Sequence, residues 1–372
     1  VKRLDRPEKY LYVMCVDADA KENDFVAVVD VDSASPSNQK VVHTVDLGSK
    51  GNETHHWGYT DDRTRIWAGG LLSSRIWILD VATDPAKPRI ERILDDVPAK
   101  TGLSGPHTYY ALPGRMLISF LGNASGGIPA GLAEFTNDGQ FIRRIDQPSE
   151  APYGYDVAIH PSTNRMVTSS FSPMRNYQKP FPEMDPKDFG SEITLWDFKS
   201  RKPLHVAKAG LAPLELRWSL KPDARHGFTN CLLDNSLWLF RVGDDGKLET
   251  RKVAETGPFP ADLRQSPDDR SLFVSCFGAD FLEQWDVTDP EHPRKHSTVK
   301  LGVQPNMMHV TGDGKRMYVT NSLLSTADRD HQGFWLKRVL IDDAGMKLDE
   351  GFFVPFDAFP SGPARAHDML LN

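Results

Sequence analysis

Apolar residues fall in short strand-length runs, and each run ends in a turn-rich exit. The stretches "FVAVVDVDSASPSNQ" from Phe25, "RIWILDVATDPAKPR" from Arg75, "ITLWDFKSRKP" from Ile193 and "FLEQWDVTDPEHPR" from Phe281 are copies of one element. Weaker copies, "GLAEFTNDGQFIRR", "SLWLFRVGDDGKLE" and "WLKRVLIDDAGMKLD", bring the number to seven. A second element is a tight turn leading into an apolar strand. It recurs in "YTDDRTRIWAG", "ALPGRMLISF", "HPSTNRMVTSS", "KPDARHGFTN", "SPDDRSLFVS" and "TGDGKRMYVT", at spacings of roughly 45 to 60 residues. That period is the period of a four-stranded propeller blade.

The two ends of the chain share one copy. "YLYVMCVD", "FVAVVDVD" and "VVHTVDL" match the second, third and fourth strands of a unit and lack its first. The terminal "RAHDMLLN" resembles the first-strand segments "THHWGYT" and "PHTYYAL", so the last strand is expected to pair with the N-terminal three and close a ring. The pattern predicts an all-β chain, a single seven-bladed β-propeller over residues 1–372. Long helices are not evident, and residues 176–192, "NYQKPFPEMDPKDFGSE", read as an inserted loop over one face.

Composition narrows the function classes. Charged residues make up 26% and hydrophobic residues 39% of the chain, and the formal net charge is −7, with no basic block to engage nucleic acid. No stretch approaches the run of about 20 apolar residues that spans a membrane. The chain begins with Val1 rather than Met, as it would after removal of an export leader or after trimming. Cys15, Cys231 and Cys276 are too scattered for a disulfide framework or a zinc knuckle, and the later two sit in buried-strand contexts.

In a propeller the first strand of each blade lines the central channel. Seven first-strand segments are expected there: His55-His56-Trp57, His107-Thr108-Tyr109, Tyr155-Asp156, Glu215-Leu216-Arg217, Ala261-Asp262, Asn306 to His309, and His367-Asp368. On the ring, His367, His55, His56 and His107 come from three successive blades, and Asp156, Glu215, Arg217 and Asp262 occupy the opposite arc. Adjacent residues of a regular strand point to opposite faces, so the pair His55-His56 requires an irregular backbone if both rings serve one site. Imidazoles without cysteine suit copper, zinc, iron or nickel, and carboxylates nearby can orient the rings by accepting their second N–H. His309, beside Met307 and Met308, is a further candidate ligand for a soft ion, with core filling as the alternative for the methionines. The alternative for Asp156 and Asp262 is a buried carboxylate that fastens the neighbouring blade. His43, His160, His205, His226, His292, His296 and His331 do not share the register and are expected on turns or the surface.

The blocks "YLYVMCVD…VAVVDVD", "ETHHWGY", "SSRIWILDV", "GYDV", "PLELRW", "DDRSLFVS", "DGKRMYVTNSL" and "GPARAHDM" resemble, in order and over nearly the whole chain, the selenium-binding-protein family that includes copper-dependent methanethiol oxidases. The resemblance implies a seven-bladed propeller and a copper enzyme of the periplasm, with the cytoplasm as the alternative. It implies conversion of methanethiol, dioxygen and water to formaldehyde, hydrogen sulfide and hydrogen peroxide. It carries the ligand role to His55, His56, His107 and His367, and it implies a homo-oligomer. The cysteine-bearing segment that follows the double histidine in animal relatives is here "DDRTRIW", so selenium binding finds no support.

The implied chemistry gives the other residues roles. Copper changes valence with dioxygen and zinc does not, and a coordinated thiol loses its proton. Asp156, Asp262 or Glu215 is expected to accept the proton from the substrate carbon, and Arg217 to steady an anionic intermediate. Trp57, Tyr59, Tyr109 and Tyr155 are expected to wall the pocket around a small thiol. Two other classes are a non-catalytic propeller that binds copper or a partner protein, and a lactonase-like hydrolase holding calcium through oxygen ligands.

Overall fold

The computed structural model describes residues 7–180, 183–328, 333–357, 359 and 362–372. It contains seven four-stranded antiparallel sheets. Six take their strands consecutively from the chain, and the seventh has the order Ala364–Leu371, Tyr10–Asp17, Phe25–Asp30, Val41–Asp46. The last strand therefore supplies the innermost position of the N-terminal blade, with Leu11 opposite Leu371 and Val13 opposite Met369. The ring closes as the split repeat requires. One short α-helix, Val97–Thr101, lies between blades among the described residues and ends on a left-handed Gly102.

Both faces of each blade are buried against neighbours, which is why second and third strands such as Tyr10–Asp17 and Phe25–Asp30 read as nearly continuous apolar runs. Strand Tyr10–Asp17 sends Leu11, Val13 and Cys15 to the junction with the blade of residues 308–355, and Tyr12 and Met14 to the junction with the blade of residues 54–94. An apolar cluster of this kind fills each of the seven blade junctions. Fully burying one such side chain contributes about 1.5–3 kcal/mol, so the ring is held by its flanks and the channel is left free for polar residues.

An eighth cluster sits over one mouth of the channel. It joins Met174, Tyr177 and Phe189 of the expected inserted loop and its approach to Leu71, Leu121, Tyr155, Leu214 and Leu324. Among its described residues the loop and its approach hold the short 3-10 turns Met174–Gln178 and Pro186–Asp188. It caps the channel as the sequence predicts.

Candidate metal centre

Five of the seven inner strands break their register at the same place. In strand Thr54–Tyr59, Thr54 pairs with Gly70 and Trp57 with Ala68, so His55 and His56 together face the single Gly69. This is a β-bulge, and it turns both imidazoles of an adjacent pair toward the channel. Equivalent breaks hold His107-Thr108, Leu214-Glu215, Ala261-Asp262 and His367-Asp368. Two residues before the first bulge residue, Glu53, Gly105, Ala212 and Phe259 adopt positive φ in four of the blades, and Gln304 does so two residues before Asn306. The channel ring is thus a repeated backbone device carrying different side chains.

Four imidazoles from three neighbouring blades meet inside it. The ring centroid of His55 lies 4.4 Å from His56, 5.3 Å from His107 and 3.9 Å from His367, and His56 lies 4.4 Å from His107. One ligand atom from each of His55, His56 and His107 fits within 4.8 Å of the others. His367 stands against this trio with its ring stacked on His55 at 11°. All four are buried. Burial, and after it the neighbouring rings, hold His55 and His107 well below the ordinary imidazole value; burial, His367 and the nearby arginines do the same for His56, and burial lowers His367. Near pH 7 these rings are neutral, the form that binds metal.

The hydrogen bonds divide the ring nitrogens into held and free. His56 Nδ1 meets Asp368 Oδ2 at 3.0 Å, His107 Nδ1 meets Thr108 Oγ1 at 3.1 Å, and His367 Nδ1 donates to the Ser322 carbonyl at 2.8 Å. Thr108 in turn donates to Asp156 Oδ1 at 2.9 Å. By contrast His55 Nδ1, His107 Nε2 and His367 Nε2 are buried without a partner. Leaving a buried polar atom unpaired costs about 1–3 kcal/mol, and three such nitrogens in one cluster fit a bound cation that would satisfy them. Donors that are all nitrogen suit copper, zinc, iron or nickel.

The opposite arc carries the charges. Asp156 accepts from the Leu216 N–H at 2.7 Å and from Arg217 at 3.1 Å, and Asp262 accepts from the Met308 N–H at 2.8 Å and from Arg264 at 3.0 Å. Each carboxylate therefore ties its blade to the next, the structural role weighed for them from the sequence. Arg217 also pairs with Glu215 and lies 3.8 Å from Asp262. Burial raises Glu215 to about 8; Arg217 opposes the shift, and Asp156 and Asp262 add to it. Burial prevails because the Arg217 guanidinium is shared among three carboxylates.

His309 is not drawn into the imidazole cluster. It lies in the regularly paired strand Met308–Val310, and its Nδ1 meets the Met369 carbonyl at 3.1 Å. Met307 and Met308, on opposite faces of their strand, fill the cores on either side of their blade. Of the remaining histidines, His43, His205 and His296 lie on outermost strands, His226 on a second strand and His292 at an exposed turn. His160, expected on a turn or the surface, is instead buried with Nε2 2.9 Å from the Lys221 carbonyl, and His331 lies outside the described residues.

The cluster has two different approaches. A cavity of about 830 Å³ rises from the uncapped mouth between Trp57, Tyr109, Asp156, Glu215, Arg217, Arg264 and Asp368 to reach His56. On the capped side a small apolar cavity reaches His55 past Tyr155, whose ring lies 4.0 Å from that of His107. Tyr59, expected as a wall, packs instead between two blades with its hydroxyl on the Leu371 carbonyl. Asp368 and Asn306 stand in the expected ring segments with no role given by the sequence, and Arg264 lies outside those segments. Arg264 had a signal, since "PLELRW" and "PADLRQ" place Arg217 and Arg264 at the same position of successive blades.

These features define the class: a closed seven-bladed propeller whose channel buries a cluster of neutral imidazoles facing an arc of carboxylates and arginines. The chain belongs to the 56 kDa selenium binding protein family, whose model matches residues 4–372. It is 37% identical to a methanethiol oxidase of Hyphomicrobium sp, over 98% of this chain and 87% of that protein. It is 33% identical to a methanethiol oxidase of Ruegeria pomeroyi, over 98% of this chain and 88% of the relative. Among solved structures it resembles a hypothetical selenium-binding protein of Sulfolobus tokodaii with a TM-score of 0.91 at 28% identity, covering 99% of this chain and 94% of the other.

Proposed function

We propose that this chain is a copper-dependent oxidase of methanethiol or a closely related small thiol, acting with dioxygen and water to give formaldehyde, hydrogen sulfide and hydrogen peroxide. The name shared by its relatives supports an oxidoreductase of this kind. The observation that carries the copper reading is the set of unpaired ring nitrogens on buried, neutral His55, His107 and His367 beside His56. In this reading His55, His56 and His107 hold the ion, and His367 completes the set from the closing strand. His309 has no part in it. The periplasmic setting implied by the resemblance belongs to the same reading, and no helix among the described residues is long and apolar enough to cross a membrane.

Copper bound there would supply the charge that favours loss of the thiol proton and a valence change through which the two electrons lost by the substrate carbon could reach dioxygen. The protein's own groups do the rest. Asp368, and Asp156 through Thr108, hold the Nδ1 side of His56 and His107, which directs their Nε2 atoms inward and raises their basicity. Glu215 exchanges a proton near neutral pH at the edge of the open channel, and Arg217 balances the negative charge that its loss creates. Asp262 keeps Arg264 in place beside it.

Metal analysis of the purified protein followed by oxygen uptake with methanethiol tests the proposal. Copper in about one-to-one ratio with the chain, with oxygen uptake, supports it; copper without turnover supports a non-catalytic binder; no metal uptake removes both. The calcium hydrolase reading has less support, because Asp156 and Asp262 already accept backbone and arginine N–H groups.

A further inference from the structure

The cavity on the capped side of the cluster is separate from the polar channel and reaches His55. Its volume is about 30 Å³, and its walls are the apolar faces of Tyr155, Phe171, Tyr177, Leu214 and Leu324, with His55 at one side. Asn176, from the inserted loop, also lines it. The Asn176 side chain is buried, and neither its amide oxygen nor its amide nitrogen has a hydrogen-bond partner. Its backbone is fully used, accepting from Lys179 and donating to Pro173, so the loop does not need the amide to fold. A buried amide with both atoms unpaired, aimed into a small apolar space beside an unpaired imidazole, is the arrangement of a binding pocket with one polar contact.

The size sets the occupant. A water needs about 10–15 Å³ on this measure, so the cavity holds about two to three heavy atoms. Methanethiol has two. The amide also suits sulfur in either protonation state: its carbonyl oxygen accepts from a neutral S–H, and its NH2 donates to a thiolate.

We propose that this cavity receives the carbon end of a one- or two-carbon thiol beside His55, and that Asn176 hydrogen-bonds the sulfur. The inference rests on the oxidase reading and adds the residues that limit chain length. The inserted loop is then part of the substrate site, and the polar channel on the other side serves water, protons and products.

Two measurements test it. Crystals of the metal-free protein under xenon pressure are expected to show a xenon peak between His55 and Leu324, lost in Leu324→Phe; absence of the peak in the wild-type protein overturns the pocket. With the copper-loaded enzyme, kcat/KM is expected to fall about tenfold or more per methylene from ethanethiol to 1-propanethiol, and Leu324→Ala to recover about tenfold for propanethiol relative to methanethiol. Asn176→Leu is expected to raise KM for methanethiol about tenfold while raising Tm, because an unpaired buried amide is removed. A lower Tm with unchanged KM marks Asn176 as structural and overturns its role. If the wild-type enzyme oxidises methanethiol and Leu324→Ala leaves the chain-length preference unaltered, this inference fails alone. If copper-loaded wild type oxidises no thiol, the oxidase reading fails and takes this one with it.

Discussion

His56 Nδ1 lies 3.0 Å from Asp368 Oδ2, although the two residues are 312 positions apart. The contact crosses the seam where the last strand of the chain meets the blade of residues 54–94. It fixes the tautomer of one imidazole and ties ring closure to the geometry of the cluster. Replacing Asp368 with Asn keeps the shape and removes the charge that favours Nδ1–H. Copper affinity is expected to fall by about 10–100-fold, measured by competition with a chelator. Equal affinity in the two proteins would mean that the contact serves closure alone.

Gly58 sets the spacing between the blades that carry His56 and His107. A Cβ on Gly58 would meet Tyr109 Cβ at 2.9 Å and the Tyr109 carbonyl oxygen at 3.0 Å. Gly58→Ala therefore pushes two inner strands apart at the cluster. We expect a loss of about 1–3 kcal/mol in stability, read from denaturant unfolding, together with weaker copper binding. Wild-type stability in this variant would show that the junction yields more easily than a packed backbone contact should.

The fold was legible in the sequence because a propeller repeats itself. The seven copies, one of them split between the chain ends, follow from apolar strands and turn residues at a fixed period, and the closing pair Leu11 and Leu371 confirms the reading. The convergence of His55, His56, His107 and His367 was legible for the same reason, since equivalent positions of a ring must meet. Contacts that depend on which way a side chain turns were harder to see. Asp368 stood beside His367 in the expected ring, yet its partner is His56 of the next blade. His309 shares a segment with the ring residue Asn306, but it lies three positions further on, inside the regularly paired strand, where its Nδ1 meets the Met369 carbonyl rather than the cluster. Asn176 belongs to an insertion with no counterpart in the other blades, so periodicity could not assign it.

Glu215 gives a pH dependence with a definite sign. Burial raises this carboxyl from 4.5 to about 8 in the folded protein, so folding takes up a proton between those values. The contribution is full below pH about 4.5 and is lost as pH rises through about 8, with a slope of at most about 1.4 kcal/mol per pH unit. Glu215→Gln removes this titration. Thermal unfolding from pH 5 to 8 is expected to show a flatter profile in the variant than in wild type. Parallel profiles would place the ionised form of Glu215, paired with Arg217, in the folded protein throughout.

Asp262 is a test of the fastening role. It accepts from Leu263 N–H and Met308 N–H, both at 2.8 Å, and from Arg264. Asp262→Ala strands two buried N–H groups and a guanidinium between adjacent blades. The expected cost is about 3 kcal/mol, seen as a lower denaturation midpoint. A change below about 0.5 kcal/mol would show that water or a neighbouring group replaces the carboxylate without penalty.

The most direct test of the account is an anomalous difference map, recorded at the copper edge, from crystals of the copper-loaded protein. One strong peak is expected at about 2.0–2.1 Å from ring nitrogens of His55, His56 and His107, within the ordinary range for a metal–imidazole bond, with His367 turned toward the same ion. A peak confined to the Asp156, Glu215 and Asp262 arc, or no peak in the channel at full copper loading, would contradict it.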